Sequence, residues 1–352
     1  MKRVLFTVVL LLGSVVLFAQ KLNKTEVKNL QSFLQQKSAK GDSNADRLEI
    51  TSIDSPQTWK GVVWNNGRVQ EINWKDKDLA GELNLMGFTR LQKLDCSRNQ
   101  ITAIDVRGCS LLSTLNVSRN KLSNLDLTGC TSLIKLDCYK NRLTDLDLSA
   151  PTQIKNLNCS NNLFVELNVS KATTLQSLNV QGCHLESLNV DSCVNLKNLY
   201  CGYNKLTNLN LLGTVGLQNL NMDNNEIATM IMSKQPSLQS LFCSDNNMTT
   251  LDVLNCDALL DLVCSYNQLT RLNLNGTDNL LFVDCSYNDL TTLDLSNRPM
   301  LQRVLCNQNQ LNTLDVSFCP NLVYINCKYN QLFNLRTMGD DNLRMIACQW
   351  NY

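Results

Sequence analysis

An asparagine that returns every 21 residues restricts this chain to a stacked, repetitive fold. It stands at Asn99, Asn120, Asn141, Asn162, Asn204, Asn225, Asn246, Asn267, Asn288, Asn309, Asn330 and Asn351. The one double-length gap holds Cys183 where the asparagine would be. Each unit opens on leucine or isoleucine, from Leu91, Leu112 and Ile154 to Leu322 and Leu343. A period of roughly 20–50 residues marks supersecondary units that cannot bury an apolar face alone and do so by stacking. Before each asparagine the apolar positions alternate, as in "DLVCSYN", which is the period of a half-buried strand. Stacked in register, such strands lie ~4.8 Å apart, so thirteen turns extend about 60 Å. The asparagine amide can donate to carbonyls and accept from amide hydrogens of neighbouring turns, groups that would otherwise be buried unpaired. The asparagine ladder is therefore read as structural.

A second segment, "LTRLNL" or "LTTLDL", also alternates and predicts another short strand or extended stretch. No helical spacing follows it, so the convex side is expected to be short strands, turns and 3-10 pieces. Pro151, Pro236, Pro299 and Pro320 all fall late in their units. That suits a return loop, where a missing amide hydrogen does little harm.

The unit consensus, roughly LxxLxCxxNxLxxLDLxxCxx, resembles the leucine-rich repeat family; "LDLVCSYNQLTRLNL" and "LLFVDCSYNDLTTLDLS" are samples. The unit length, the cysteine in the LxC position and the second LDL segment look most like bacterial internalins of the cysteine-rich, internalin J-like kind. The resemblance covers residues 91–352, read as twelve 21-residue repeats and a partial thirteenth. It implies a leucine-rich repeat solenoid of the α/β-horseshoe family, β-rich, with a parallel sheet on the concave face. It also implies non-catalytic binding through the strand face, since internalins bind host surface molecules.

Both ends differ from the repeat. Lys2 and Arg3 precede an apolar run from Val4 to Phe18, with Ala19 at a plausible cleavage point. That run is shorter than the ~20 residues of a membrane span, so residues 1–19 are read as a signal peptide and the protein as exported, to the periplasm, the cell surface or the medium. Removing Lys2 and Arg3 takes the net charge from +1 to −1. With 32 basic against 31 acidic residues, no excess points to nucleic acid, and no second long apolar run points to a membrane span in the mature chain. Residues 20–90 are expected to form a helical N-terminal cap and an irregular first repeat. In "TEVKNLQSFLQQ", Val27, Leu30 and Leu34 share one helical face, with Thr25 as candidate N-cap. Trp59, Trp64 and Trp74 follow in the irregular turn. A solenoid needs such a cap over its open core. The chain stops at "QWNY" in mid-unit and shows no LPxTG-like sorting signal, so wall anchoring is not expected. Its last strand edge is a candidate for self-association.

Sixteen cysteines in an exported chain first suggest disulfides. Their positions argue otherwise. Ten share one register: Cys96, Cys138, Cys159, Cys201, Cys243, Cys264, Cys285, Cys306, Cys327 and Cys348. Five share another: Cys109, Cys130, Cys193, Cys256 and Cys319. In-register neighbours have Cβ atoms near the ~4.8 Å strand spacing, against ~3.8 Å for a disulfide. The cysteines are read as columns of buried thiols that act as small apolar residues, with one or two disulfides open in the second register. A straight ladder does not converge on a metal, and His184 is the lone histidine. Cys183 and His184, adjacent in an extended chain, point opposite ways and make a poor nucleophile and base. The aspartates of "LDL" (Asp105, Asp126, Asp147, Asp252, Asp294 and Asp315) are read as a solvated stripe without the dense oxygen cluster calcium needs. No enzyme activity and no cofactor is expected.

If Leu262 and Cys264 point inward, then Asp261, Val263 and Ser265 point outward, with Tyr266 on the rim. This rule places seven of the eight tyrosines in outward or rim columns: Tyr139, Tyr200, Tyr203, Tyr266, Tyr287, Tyr324 and Tyr329. Phe242, Phe282 and Trp350 join them. Early turns carry mixed charge at Lys93, Asp95, Arg98, Arg119, Lys135 and Lys140, middle turns mostly asparagine and serine, and later turns the aromatics. Grouped exposed aromatics mark an interaction surface. Tyr200, Tyr203, Phe242, Tyr266, Phe282, Tyr287, Tyr324, Tyr329 and Trp350 are the candidate ligand-binding residues. The expected partner is a protein. The alternatives are a surface glycan laid on the tyrosines, or no ligand, with the tyrosines stacking between turns only to stiffen the sheet.

Overall fold

The computed structural model describes residues 21–232 and 235–351. The signal-peptide reading of residues 1–19 falls outside them. The first described element is a helix, α1 (Lys24–Leu34). Its N-cap is Asn23, whose side chain accepts from the Glu26 amide at 3.0 Å. The sequence reading named Thr25. Asn23 serves because its backbone is extended, as a cap requires, while Thr25 already lies in the first turn. Leu30, Phe33 and Leu34 are buried, and Val27 packs against them in part. Phe33 stacks on Trp74 with ring centroids 5.6 Å apart. The Glu26 carboxylate is buried and takes both the Arg68 guanidinium (2.7 Å) and the Val69 amide (2.8 Å), so it ties α1 to the first parallel strand.

One sheet of 15 strands runs the length of the molecule. Val62–Asn65 lies antiparallel to Arg68–Asn73 at one edge, and every later pairing is parallel. Within the repeats the register advances by 21 residues at each step: Leu241 faces Leu262, which faces Val283, which faces Val304. These inward side chains are fully buried and form one continuous core.

The asparagines sew the turns together. Asn267 donates from Nδ2 to the carbonyls of Cys243 (3.0 Å), Cys264 (3.2 Å) and Ser265 (3.2 Å). Its Oδ1 accepts from the Met248 amide at 3.0 Å. Asn288 and Asn309 repeat the pattern one and two turns on. In the irregular turn the Cys183 thiol offers one S–H in place of the amide's two N–H, nearest the Cys159 carbonyl (3.3 Å) with the Gln181 carbonyl at 3.7 Å. His184 beside it is exposed.

The second segment forms short ladders in some turns, among them Thr229–Ile231 with Thr250–Asp252, and is extended without ladder pairing in others. Its aspartates do more than face solvent. Each of Asp105, Asp126, Asp147, Asp252, Asp294 and Asp315 accepts the amide two residues ahead, the bond that starts the return loop.

All sixteen cysteines are free thiols, and all but Cys348 are buried. Apart from Cys348, the first register is packed like any small apolar residue. The second adds a function that apolarity misses. Cys109, Cys130, Cys193, Cys256 and Cys319 each donate, at 3.1–3.5 Å, to the carbonyl 24 residues back. Gln235 and Arg298 occupy the same column and reach the same kind of carbonyl, at 3.0 and 2.9 Å. At these turns the column supplies a second donor to a carbonyl that already accepts a backbone amide within the loop, as the Met232 carbonyl does from Gln235, while Pro151 and Ala172 fill the same column without donating. Burial pushes these thiols up, Cys109 to about 12 and Cys130, Cys193 and Cys256 to about 11.

Candidate binding face

The outer surface of the 15-stranded sheet is built from two side chains per strand, those that flank the buried central residue. Around Leu262 they are Asp261 and Val263, both half-buried. Ser265, expected to point outward as well, is buried. The chain is already turning there, and the Ser265 hydroxyl packs against the Ser244 hydroxyl of the previous turn at 2.9 Å.

In early turns the second flanking position is polar and has a local task. Asp95, Asn116 and Asn158 each accept from the amide (3.0–3.3 Å) and the hydroxyl (2.6–2.8 Å) of a serine two residues on. Later turns place Tyr200, Phe242, Val263 and Leu305 in that column, which cannot accept these bonds. The position before each strand changes in the same way. Gln218 and Gln239 give way to Leu260, Leu281 and, after Gln302, Val323. Phe282, Tyr324 and Met345 fill the first flanking column of their turns. A mixed-charge sheet surface thus becomes largely apolar from Phe242 onward. The aliphatic part of this surface escaped the tyrosine-based reading, although a comparison down each column of the repeat would have found it.

The rim is a second column with its own constraint. The thirteen residues at 21-residue intervals from Arg98 to Trp350 all have φ between +52 and +65°. Glycine and asparagine are cheap in this left-handed conformation, and Gly182, Asn161 and Asn224 use it. A bulky side chain there is an outlier, yet Tyr203, Tyr266, Tyr287, Tyr329 and Trp350 occupy it. Tyr203 and Trp350 are the most exposed of these, at 63 and 70%. Tyr266 and Tyr287 stack with centroids 4.2 Å apart and planes 10° apart; Tyr329 and Trp350 stack at 5.8 Å and 9°. The Tyr287 side chain holds the Tyr266 phenol above its ordinary value.

The other sequence-selected aromatics divide between the columns. Tyr200, Phe242, Phe282 and Tyr324 lie half-buried on the sheet itself. Tyr139 lies in an early turn under the Arg119 guanidinium, 5.1 Å from its ring centroid. The fold thus brings Phe242, Tyr266, Phe282, Tyr287, Tyr324, Tyr329 and Trp350 into one region and leaves Tyr139 apart.

Solved structures give the frame for this surface. The functional domain of InlJ from Listeria monocytogenes, which includes a cysteine ladder, matches with a TM-score of 0.54 and 28% identity over 75% of this chain. YopM from Yersinia enterocolitica matches with a TM-score of 0.63 and 25% identity over 78% of this chain. The chain is a leucine-rich repeat solenoid. The Listeria internalin InlF shares the fold over 90% of this chain and 94% of its own, at a TM-score of 0.63 and 19% identity. The present chain spans 54% of the InlJ structure and 63% of the YopM structure. No family model and no curated protein matches the sequence. Among the described residues no helix is long and apolar enough to cross a membrane.

Proposed function

We propose that this leucine-rich repeat solenoid is an exported, non-catalytic scaffold that binds a protein partner across its strand face from the turn of Phe242 onward. One observation carries the reading. In three later turns the column that Asp95, Asn116 and Asn158 use for turn hydrogen bonds holds Phe242, Val263 and Leu305, which make none of them and leave apolar surface in water, while Asp284 and Asn326 keep the polar pattern in the turns after Val263 and Leu305. The turn itself gains nothing from that exchange, and recognition does. Tyr200, Tyr203, Tyr266, Tyr287, Tyr329 and Trp350 frame this surface, with Phe282 and Tyr324 inside it. Residues 20–90 serve as the cap of the solenoid and not as a second binding module.

A glycan platform is the lesser reading. Sugars lie on open aromatic faces, and in the Tyr266–Tyr287 pair each ring covers one face of the other. The two readings separate by experiment. The full chain is screened on a protein array and a glycan array, as wild type and as Val263→Lys, Leu305→Lys and a Tyr203/Tyr266/Tyr287/Tyr329→Asn variant. Protein binding lost in the lysine variants supports the proposal. Ile231→Lys, on the other side of the solenoid, is the control and keeps binding. Glycan binding lost only in the tyrosine variant would transfer the site to the glycan reading. Binding untouched by every strand-face change would remove the site altogether.

A further inference from the structure

We propose that Arg303 is the anchor for a carboxylate side chain of the protein partner. The inference rests on the strand-face reading above and names the chemistry that face selects. Arg303 pairs in register with Phe282 on one neighbouring strand and with Tyr324 on the other. Its guanidinium carbon lies 5.6 Å from the Phe282 ring centroid and 5.3 Å from that of Tyr324. Cation–π contact on two sides holds the guanidinium in place while its N–H edges stay free.

Those edges have no partner of their own. Among the described residues no ion pair or side-chain hydrogen bond engages Arg303, whereas Arg68, Arg107 and Arg336 each meet a carboxylate. The two carboxylates interspersed in this part of the sheet are otherwise occupied. Asp284 accepts from the Ser286 amide (3.0 Å) and hydroxyl (2.6 Å), and Asp261 accepts from the Ser240 hydroxyl at 3.4 Å. Leu281, Leu305 and Val323 surround the cation with apolar surface. When a partner covers them, water leaves and the charge-assisted bond to a carboxylate strengthens. A guanidinium already fixed between two rings loses little freedom on binding. The complementary ligand is a segment with aspartate or glutamate set between apolar side chains. A basic segment is disfavoured, since Lys328 lies one turn on and Arg344 two turns on.

The test uses the full chain and random 12-residue peptides displayed on phage. Selected peptides are titrated against wild type, Arg303→Gln, Arg303→Lys and Leu305→Lys, with thermal melting to confirm that each variant folds. The expected peptides carry Asp or Glu beside apolar residues. Their affinity falls about 10- to 100-fold in Arg303→Gln. Arg303→Lys recovers part of the loss, because it keeps the charge and gives up the planar fork. Binding that Leu305→Lys abolishes and Arg303→Gln leaves unchanged overturns the carboxylate anchor while the strand-face reading stands. Selected peptides without an acidic residue overturn it in the same way. No selected peptide, or none sensitive to Leu305→Lys, overturns both.

Discussion

Replacing Tyr266 with asparagine separates a residue kept for folding from one kept for binding. The backbone at Tyr266 has φ +54°. For an ordinary side chain this left-handed conformation costs roughly 1–2 kcal/mol, and asparagine tolerates it better. The chain itself uses asparagine at this point of the repeat, at Asn161 and Asn224. Against that gain stands the loss of the Tyr287 stack at 4.2 Å, worth about 0.5–1.5 kcal/mol for an aromatic pair. Tyr266 is 50% exposed, so little further burial is lost. The two effects oppose each other at similar size, and Tyr266→Asn should leave stability within about 1 kcal/mol of wild type. Urea unfolding followed by circular dichroism reads this as an almost unchanged midpoint and slope. The Tyr266→Asn/Tyr287→Asn double variant should behave alike while partner binding drops. A loss above about 2 kcal/mol from Tyr266→Asn would refute the reasoning. The stacked tyrosines would then be a spine of the sheet, and their presence would need no ligand.

Asn267→Ala removes four hydrogen bonds; the Cys243 and Cys264 carbonyls each keep another asparagine donor, Asn246 and Asn288, while the Met248 amide loses its acceptor, so it should cost about 2–4 kcal/mol, read by the same unfolding assay. In the donor column, Cys256→Ser keeps the bond to the Met232 carbonyl whereas Cys256→Val loses it. The Met232 carbonyl keeps the Gln235 amide in both, so the serine variant should be the more stable by about 0.5–1.5 kcal/mol, and equal melting temperatures would argue that the thiol is only filler. Burial raises the thiols, Cys130 and Cys256 to about 11 and Cys109 to about 12, against about 8.5 in the unfolded chain. The unfolded state therefore loses thiol protons first. Stability is intact below pH ~8.5 and falls above it by up to about 1.4 kcal/mol per thiol per pH unit, until each folded thiol also ionises. Circular dichroism should show steep cooperative unfolding near pH 9.5–10.5 (an order-of-magnitude window), and native structure persisting through that range would contradict the burial. At pH 8 iodoacetamide should label Cys348 in the native protein and the fifteen buried thiols only after denaturation, counted by intact mass.

Much of the molecule is legible in the sequence because a solenoid repeats its local rules. The 21-residue spacing alone puts Leu262 and Cys264 inside, makes Asn267 the bridge between turns, and keeps neighbouring cysteines at strand spacing. Period-2 alternation has only two faces to choose between, and the apolar residues must take the buried one. The same rule fails at Ser265 and in the second cysteine column. There the chain has left the strand, and a side chain's direction follows from turn geometry that alternation does not encode. A cysteine in that column looks like packing until Gln235 and Arg298 are seen reaching the same kind of carbonyl.

What the sequence determined by itself is the repeat, its strand, its ladder and its buried thiols, because stacking leaves those residues no other place. The contacts on the open face and the backbone beneath it follow only from the folded chain. Residues 21 apart become neighbours there, so isolated changes at Phe242, Val263, Leu281, Phe282 and Leu305 merge into one apolar surface with Arg303 held inside it. The left-handed backbone under Tyr266 is likewise a property of the folded turn. It turns an ordinary-looking tyrosine into one that the fold accommodates at a cost.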